Sequence, residues 1–405
     1  MDGIFLTEIT IEHVRHLRDI VIPLSSDMRK TLILTGQNGS GKTSVLQALG
    51  DFLRFTAKIP GDLNEKELIR FQVELTEQRM LHMASFDQEL SPRQSLTKVI
   101  GISSKCTHWK KMKKSCQNGA FILDYFADER EIQVDISNHV EKVDFKSAYP
   151  MNDNPSKDFV KYMVDIKVRQ ALANMKEEGS RVAEIEDWFQ RFQDVLRKLY
   201  NDPPLTLDFD IDTFRFTIHA TNREPFDFNT MSMGYSAIFN IITDLIMRME
   251  AKSPGHYNME GIVLIDEIET HLHVELQKKI VPILTELFPN IQFIMTTHSP
   301  FVLQSAENAV IYDLEKRVLV RDGLANLPYE GIVEGYFGVD TLSAELKEKF
   351  QRYQELIQKK ELTDGDYVEI DRLESYLDEI PHYLAPGWAA EYRRLKLEFS
   401  MREGA

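Results

Sequence analysis

One stretch constrains this chain more than any other. Gly36-Gln37-Asn38-Gly39-Ser40-Gly41-Lys42-Thr43-Ser44 follows the apolar run Leu32-Ile33-Leu34, precedes Val45-Leu46-Gln47-Ala48-Leu49, and fits G-x-x-x-x-G-K-[ST] without a gap. The order has a physical reason. A buried strand ends, glycines let the backbone fold around phosphate oxygens, and a helix starts with unpaired N–H groups aimed at the anion. Residues 36–44 are therefore expected to bind a nucleotide, with Lys42 reaching the β- and γ-phosphates of ATP and Thr43 giving its hydroxyl to Mg²⁺. The competing reading is a glycine-rich turn that only caps a helix; the strand before and the helix after favour the phosphate site.

At 405 residues the chain has material for two or three domains. No apolar run approaches the roughly 20 residues of a membrane span, and Met1-Asp2-Gly3-Ile4-Phe5 lacks the layout of a signal peptide. A cytoplasmic protein without membrane contact is expected. Cys106 and Cys116 are too few for a disulfide framework and read as free thiols. A formal net charge of -16 argues against broad adhesion to nucleic acid. One basic patch stands against that background: Lys105, Lys110, Lys111, Lys113 and Lys114, interleaved with His108 and Trp109. Such a patch suits phosphate contact and base stacking, and equally a solvated loop.

Along the chain, alternation over residues 4–24 predicts two strands joined around Arg15-His16-Leu17-Arg18, followed by a strand over Thr31 to Thr35 and a helix from Lys42 to Phe55. Further strands are expected at Ile69 to Thr76, Leu96 to Ser103, Phe121 to Phe126 and Glu131 to Ile136, as an antiparallel layer beside the nucleotide site. Helical periodicity from Phe159 to Leu199 predicts a hairpin inserted before Asp202-Pro203-Pro204, with Trp188 and Phe189 as packing residues. Strands return at Leu205 to Phe209 and Phe214 to His219. The divisions expected are 1–150, 151–204 (helical insertion), 205–338 and 339–405 (helical extension).

Met231-Ser232-Met233-Gly234-Tyr235 opens a long apolar helix that runs through Met249. A Ser and a Gly there cap a helix in any protein, and they also make a second anion cradle. Ile262-Val263-Leu264-Ile265-Asp266-Glu267 is a buried-strand run ending in two carboxylates. In this Walker B arrangement Asp266 would hold Mg²⁺ and Glu267 would orient and deprotonate the attacking water. A second buried strand, Ile291 to Thr297, ends at His298-Ser299-Pro300, at the strand ends where an open α/β sheet places its ligand. His298 is thus the candidate γ-phosphate sensor, and Glu267, His298 and Lys42 form the expected catalytic set. His271 and His273 are two apart, with no further ligand at metal-binding spacing.

These motifs, with Ile9-Thr10-Ile11-Glu12-His13-Val14-Arg15 before them and Thr297-His298-Ser299-Pro300 after, resemble an ABC-type ATPase head of the branch that holds RecF, SMC-like and OLD-type prokaryotic ATPases. The resemblance covers residues 1 to about 325. It implies an α/β P-loop NTPase fold with a flanking antiparallel layer, a helical insertion and a helical C-terminal extension. It also implies that two heads meet head to tail, each ATP held by Gly36 to Ser44 of one chain and capped by Ser232 and Gly234 of the other. Arg15 would lie near the adenine or phosphates, and Arg130 would line the site. The signature departs from Leu-Ser-Gly-Gly-Gln, which leaves the Gln role without support and implies slow hydrolysis; no Q-loop glutamine can be placed, Gln72 included.

The tail from about Val339 carries neither the acidic set of a Toprim domain nor an HNH arrangement. That pattern is similar to the ATPase subunits of two-gene anti-phage systems, PtuA-like in Septu and retron-linked systems, or that of PARIS. An effector supplied by a partner protein, a nuclease or toxin, is the implied output. A RecF- or SMC-like ATPase that binds DNA across paired heads is the alternative, and a transporter's nucleotide-binding subunit is a third.

Overall fold

The computed structural model describes residues 3–58, 92–129, 140–325, 327, 331–332, 344–359, 361–378 and 386–403. They form two compact units, Met1–Asn326 and Leu327–Ala405.

The first unit is built on a six-stranded sheet. Its members are β3 (Thr31–Thr35), β5 (Ile122–Phe126), β8 (Gly261–Ile265), β9 (Ile291–Thr296), β10 (Ala309–Asp313) and β11 (Val318–Val320), in the order β11-β10-β3-β9-β8-β5. All neighbours are parallel except β10 and β11. A strand buried on both faces must be apolar on both, and the unbroken runs at 32–34 and 262–265 are buried throughout. Helix α1 (Lys42–Lys58) follows β3 directly.

A second, antiparallel sheet has the order β2-β1-β4, from β1 (Leu6–Val14), β2 (Leu17–Pro23) and β4 (Ile102–Cys106). Its inward residues, including Ile9, Ile11, Ile20, Ile22 and Ile102, share one core with Leu46, Leu49, Phe52 and Phe55 of α1. Gln292 of β9, fully buried, ties the two sheets: its amide donates to the carbonyls of Leu6 (3.1 Å) and Lys30 (3.0 Å), and its oxygen accepts from Leu6 N–H at 2.7 Å.

Three expectations need correction. Residues Leu96 to Ser103 are not one strand. Helix α2 (Pro92–Ile100) ends at Gly101 and β4 begins at Ile102. Leu96 and Ile100 are four apart, so a helix puts both in the core. Gly101 sits at φ +81°, and a Cβ there would stand 1.8 Å from the His13 carbonyl oxygen, so only glycine allows the turn. Residues Phe121 to Phe126 do form a strand, but β5 pairs in parallel with β8 and not with the antiparallel layer. The lysine-rich segment is no loop: Trp109–Gln117 is helix α3, seated by Met112, which is fully buried, and by Trp109 edge-on to Phe52. The strands expected at Ile69 to Thr76 and Glu131 to Ile136 lie outside the described residues.

The insertion is the hairpin of α4 (Phe159–Met175) and α5 (Gly179–Tyr200), followed by the β6 (Thr206–Asp210) and β7 (Arg215–His219) hairpin. Helix α6 (Met233–Glu250) is buried along most of its length. Phe239 of α6 packs with Phe159, Phe192 and Phe228, and Trp188 stacks on Phe192 while its indole N–H donates to Glu250 at 2.7 Å. Short helices α7 (Val274–Gln277), α8 (Ile280–Leu287) and α9 (Pro300–Ser305) link β8, β9 and β10. Among the described residues of the second unit, α10 (Ala344–Ile357), α11 (Asp364–Asp378) and α12 (Pro386–Glu403) pack around Tyr353, Leu356, Leu377 and Tyr392.

Candidate nucleotide site

The site lies at the carboxyl ends of β3, β8 and β9, where α/β sheets bind ligands. Gly36, Gly39 and Gly41 take φ +137°, +84° and +95°, values closed to most side chains. A Cβ at Gly36 would come 2.8 Å from Ser40 Oγ, and one at Gly39 would project into open space above the loop. Lys42 is 5 % exposed and its Nζ donates to the carbonyls of Gly36 (3.0 Å) and Gln37 (3.1 Å), so the ammonium lies across the loop. Burial lowers its pKa, against the opposing pull of Glu267, Glu269, Asp266 and Asp313. Gln37 N–H donates to Glu315 at 3.2 Å, which fastens the loop to the end of β10.

Asp266, 2 % exposed, directly follows β8. Its Oδ1 accepts from Thr43 Oγ1 at 3.3 Å and from Thr296 Oγ1 at 2.6 Å. The chain then leaves the strand with Glu267 at φ +43°, a left-handed turn that costs a non-glycine residue about 1–2 kcal/mol. Glu267 N–H donates to Thr296 Oγ1 at 2.7 Å, which offsets part of that cost. His298, just beyond β9, has Nε2 3.9 Å from Glu267 Oε1, and its backbone N–H donates to Glu269. Burial first, then the Lys42 charge, lowers the His298 pKa below its ordinary 6.5.

Among the residues the sequence singles out, Gly36 to Ser44, Asp266, Glu267 and His298 thus converge. Arg15, at φ +51° in the β1–β2 turn, is exposed; a Cβ at Gly41 would meet His16 and Leu17 of this turn at 3.5 and 3.0 Å, so the turn flanks the loop. Ser232 and Gly234 make no hydrogen bond to residues 36–44 among the described residues. Ser232 is exposed at the start of α6 and its side chain does not cap the helix, while Gly234 is buried so closely that a Cβ would stand 2.7 Å from the His271 carbonyl oxygen. Arg130 and Gln72 lie outside the described residues.

The sequence reading missed Thr296, whose hydroxyl joins Asp266 to Glu267, and gave Glu269 no role. Tyr125 of β5 also lies here, its pKa pushed up by burial and by Asp266 beside it. A threonine ending a buried apolar strand next to the Asp266 strand is the one signal that points to the first.

The donor set fits ATP with Mg²⁺. Two side-chain oxygens, on Thr43 and Asp266, stand together as a hard cation requires, and Ser40 Oγ is buried at the loop with no partner among the described residues. A cavity of about 430 Å³, lined by Arg29, Thr31, Val281, Pro282, Asn308 and Ala309, lies at the opposite end of β3 and takes no part in this site.

Fold and site together define a P-loop NTPase of ABC-ATPase type. The family described as "AAA domain, putative AbiEii toxin, Type IV TA system" matches residues 32–304, and the chain belongs to it. The chain is 25% identical to the Septu protein PtuA of Bacillus mycoides (strain KBAB4), over 98% of this chain and 55% of that protein, so it spans about half the length of this relative. It is 24% identical to the retron Vc95 probable ATPase of Vibrio cholerae serotype O1 biovar El Tor, over 73% of this chain and 71% of that protein. The SMC head domain from Thermotoga maritima superposes with a TM-score of 0.37 and 12% identity, covering 76% of this chain and 94% of that one.

Proposed function

We propose that the chain is a cytoplasmic ATPase that pairs head to tail around ATP and governs an effector, a nuclease or toxin, in anti-phage defence. The observation that carries the reading is the linkage Thr43–Asp266–Thr296–Glu267, with Lys42 and His298 beside it, at the carboxyl ends of β3, β8 and β9. Thr43 and Asp266 would hold Mg²⁺, which when bound neutralises charge between the β- and γ-phosphates. The Gly36 to Ser44 amides and Lys42 would grip the phosphates. Glu267 would take a proton from the attacking water as its oxygen bonds the γ-phosphorus and the bond to the bridging oxygen breaks. A neutral His298 would hydrogen-bond the γ-phosphate. Ser232 and Gly234 of a second copy would close the site, with Arg15 at its flank. The names of the relatives, Septu PtuA and retron ATPase, support the defence role.

Two variants test the chemistry. Lys42→Ala should abolish ATP binding in calorimetry, and Glu267→Gln should bind ATP while its phosphate release falls on the order of a hundredfold or more. Full turnover by Glu267→Gln would contradict the assignment.

A second reading, contact with nucleic acid, is favoured by α3: Lys110, Lys111 and Lys114 lie on its exposed face, while Lys105 pairs with Glu8 at 2.9 Å. Salt-dependent duplex binding that disappears when Lys110, Lys111, Lys113 and Lys114 become Glu would support it.

A further inference from the structure

One arginine beside the α6 start is used by nothing described so far. Arg223, exposed in the loop after β7, places its guanidinium 5.4 Å from the ring centre of Tyr200 and 5.6 Å from that of Tyr235. Those two rings stack at 4.0 Å with planes 6° apart, and Phe226 packs against Tyr200. The loop is pinned from below: Asp202 accepts from Thr221 N–H at 2.6 Å and from Thr221 Oγ1 at 2.8 Å. Among the described residues no carboxylate forms an ion pair with Arg223. A guanidinium held on an aromatic platform keeps its donor edge open while losing little rotamer freedom when that edge is used.

Tyr235 directly follows Gly234, so this platform borders the exposed Ser232 and Met233, the latter 62% exposed. Among the described residues, Arg223 makes no hydrogen bond or ion pair to residues 36–44, Asp266, Glu267 or His298 of its own chain.

We propose that Arg223, set on the Tyr200–Tyr235 stack, reaches across to a second copy and contacts the γ-phosphate bound there, as an arginine supplied in trans with Ser232. It rests on the head-to-tail pairing proposed above. The guanidinium would offset the charge that builds on the phosphate oxygens as the bond to the leaving group breaks. Tyr235, standing where the transporter signature has Gln, would act as a positioning residue by carrying Arg223.

The test is mixing of defective full-length chains. Arg223→Ala alone should lower kcat on the order of a hundredfold while its own loop still binds ATP. Mixed with Lys42→Ala, it should recover part of wild-type turnover, because in a two-fold dimer one composite site then combines an intact loop, with its ATP, and an intact Arg223. Ser232→Arg mixed with Lys42→Ala is the control for the pairing itself. If the control recovers activity and the Arg223→Ala mixture does not, Arg223 acts within its own chain or not at all, and the proposal falls. If the control also stays inactive, the pairing falls and the proposal with it. Guanidinium ion added to Arg223→Ala should restore part of kcat, which a merely structural role would not produce; no rescue, or full activity of the variant alone, overturns the assignment.

Discussion

At the scale of single residues, the site depends on a few hydroxyls that set charged groups apart. Thr296 donates to Asp266 and accepts from Glu267 N–H, so one side chain fixes both carboxylate residues at the end of β8. His298 gives a pH prediction. Its folded pKa is lowered, so adding a proton costs more in the fold than in the unfolded chain. Its contribution to stability is present above the ordinary 6.5 and is lost as pH falls through the lower folded value. Protonation of the imidazole is therefore disfavoured in the nucleotide-free chain, and any acid limb of kcat/KM due to His298 should lie below the ordinary 6.5. A pH–rate profile checks this: His298→Gln should be slower and lack that limb, and an unchanged limb would assign it elsewhere. Asp266 was readable because it directly follows an apolar run, and His298 because it stands just past the end of another. Thr296 was not, because a threonine is ordinary in a strand and only the β8–β9 pairing shows what it touches.

At the scale of elements, α6 links the proposed partner-facing end to the sheet through a buried ion cluster. Arg248, 4 % exposed, meets Asp244 at 2.5 Å and Asp124 of β5 at 2.9 Å, and also donates to the carbonyls of Tyr149, Pro150 and Asp153. Burial raises the pKa of Asp124 and raises that of Asp244 well above the usual range, with Arg248 opposing both shifts. Arg248→Met should cost about 3–5 kcal/mol in urea unfolding, because two carboxylates lose their counter-charge. Raised carboxylate pKa values favour the fold below the unfolded pKa of 3.8, an advantage lost as pH rises through the folded values. The deficit of the variant should accordingly be smaller near pH 5 than near pH 8, and an equal deficit at both would contradict the cluster's charge state. Strands such as β3, at the bounds Thr31–Thr35, follow from apolar runs alone. The partner of β5 does not, since a short apolar run has no mark of its neighbour, and residues 124 and 248 meet only through the folded sheet. Helix α2 was hidden for another reason: its two core residues fit either period until Gly101 shows where the helix stops.

At the scale of the molecule, the loop at 36–44 is half of the proposed site. Lys42, Asp266, Glu267 and His298 gather in one chain, whereas Ser232 and Met233 stand exposed at the start of a buried helix, next to an arginine with no carboxylate partner among the described residues. Assembly would then depend on ATP, and hydrolysis would release it, which is how binding energy becomes a switch for a partner. The class of fold was legible because three motifs in order admit few architectures; the second chain was legible only as an implication of resemblance. Size-exclusion chromatography with light scattering on Glu267→Gln, with saturating ATP and Mg²⁺, tests this most directly. The account predicts a mass at least twice that of the nucleotide-free chain, reversed by adding Lys42→Ala to the same protein, and a monomer under saturating nucleotide would contradict it.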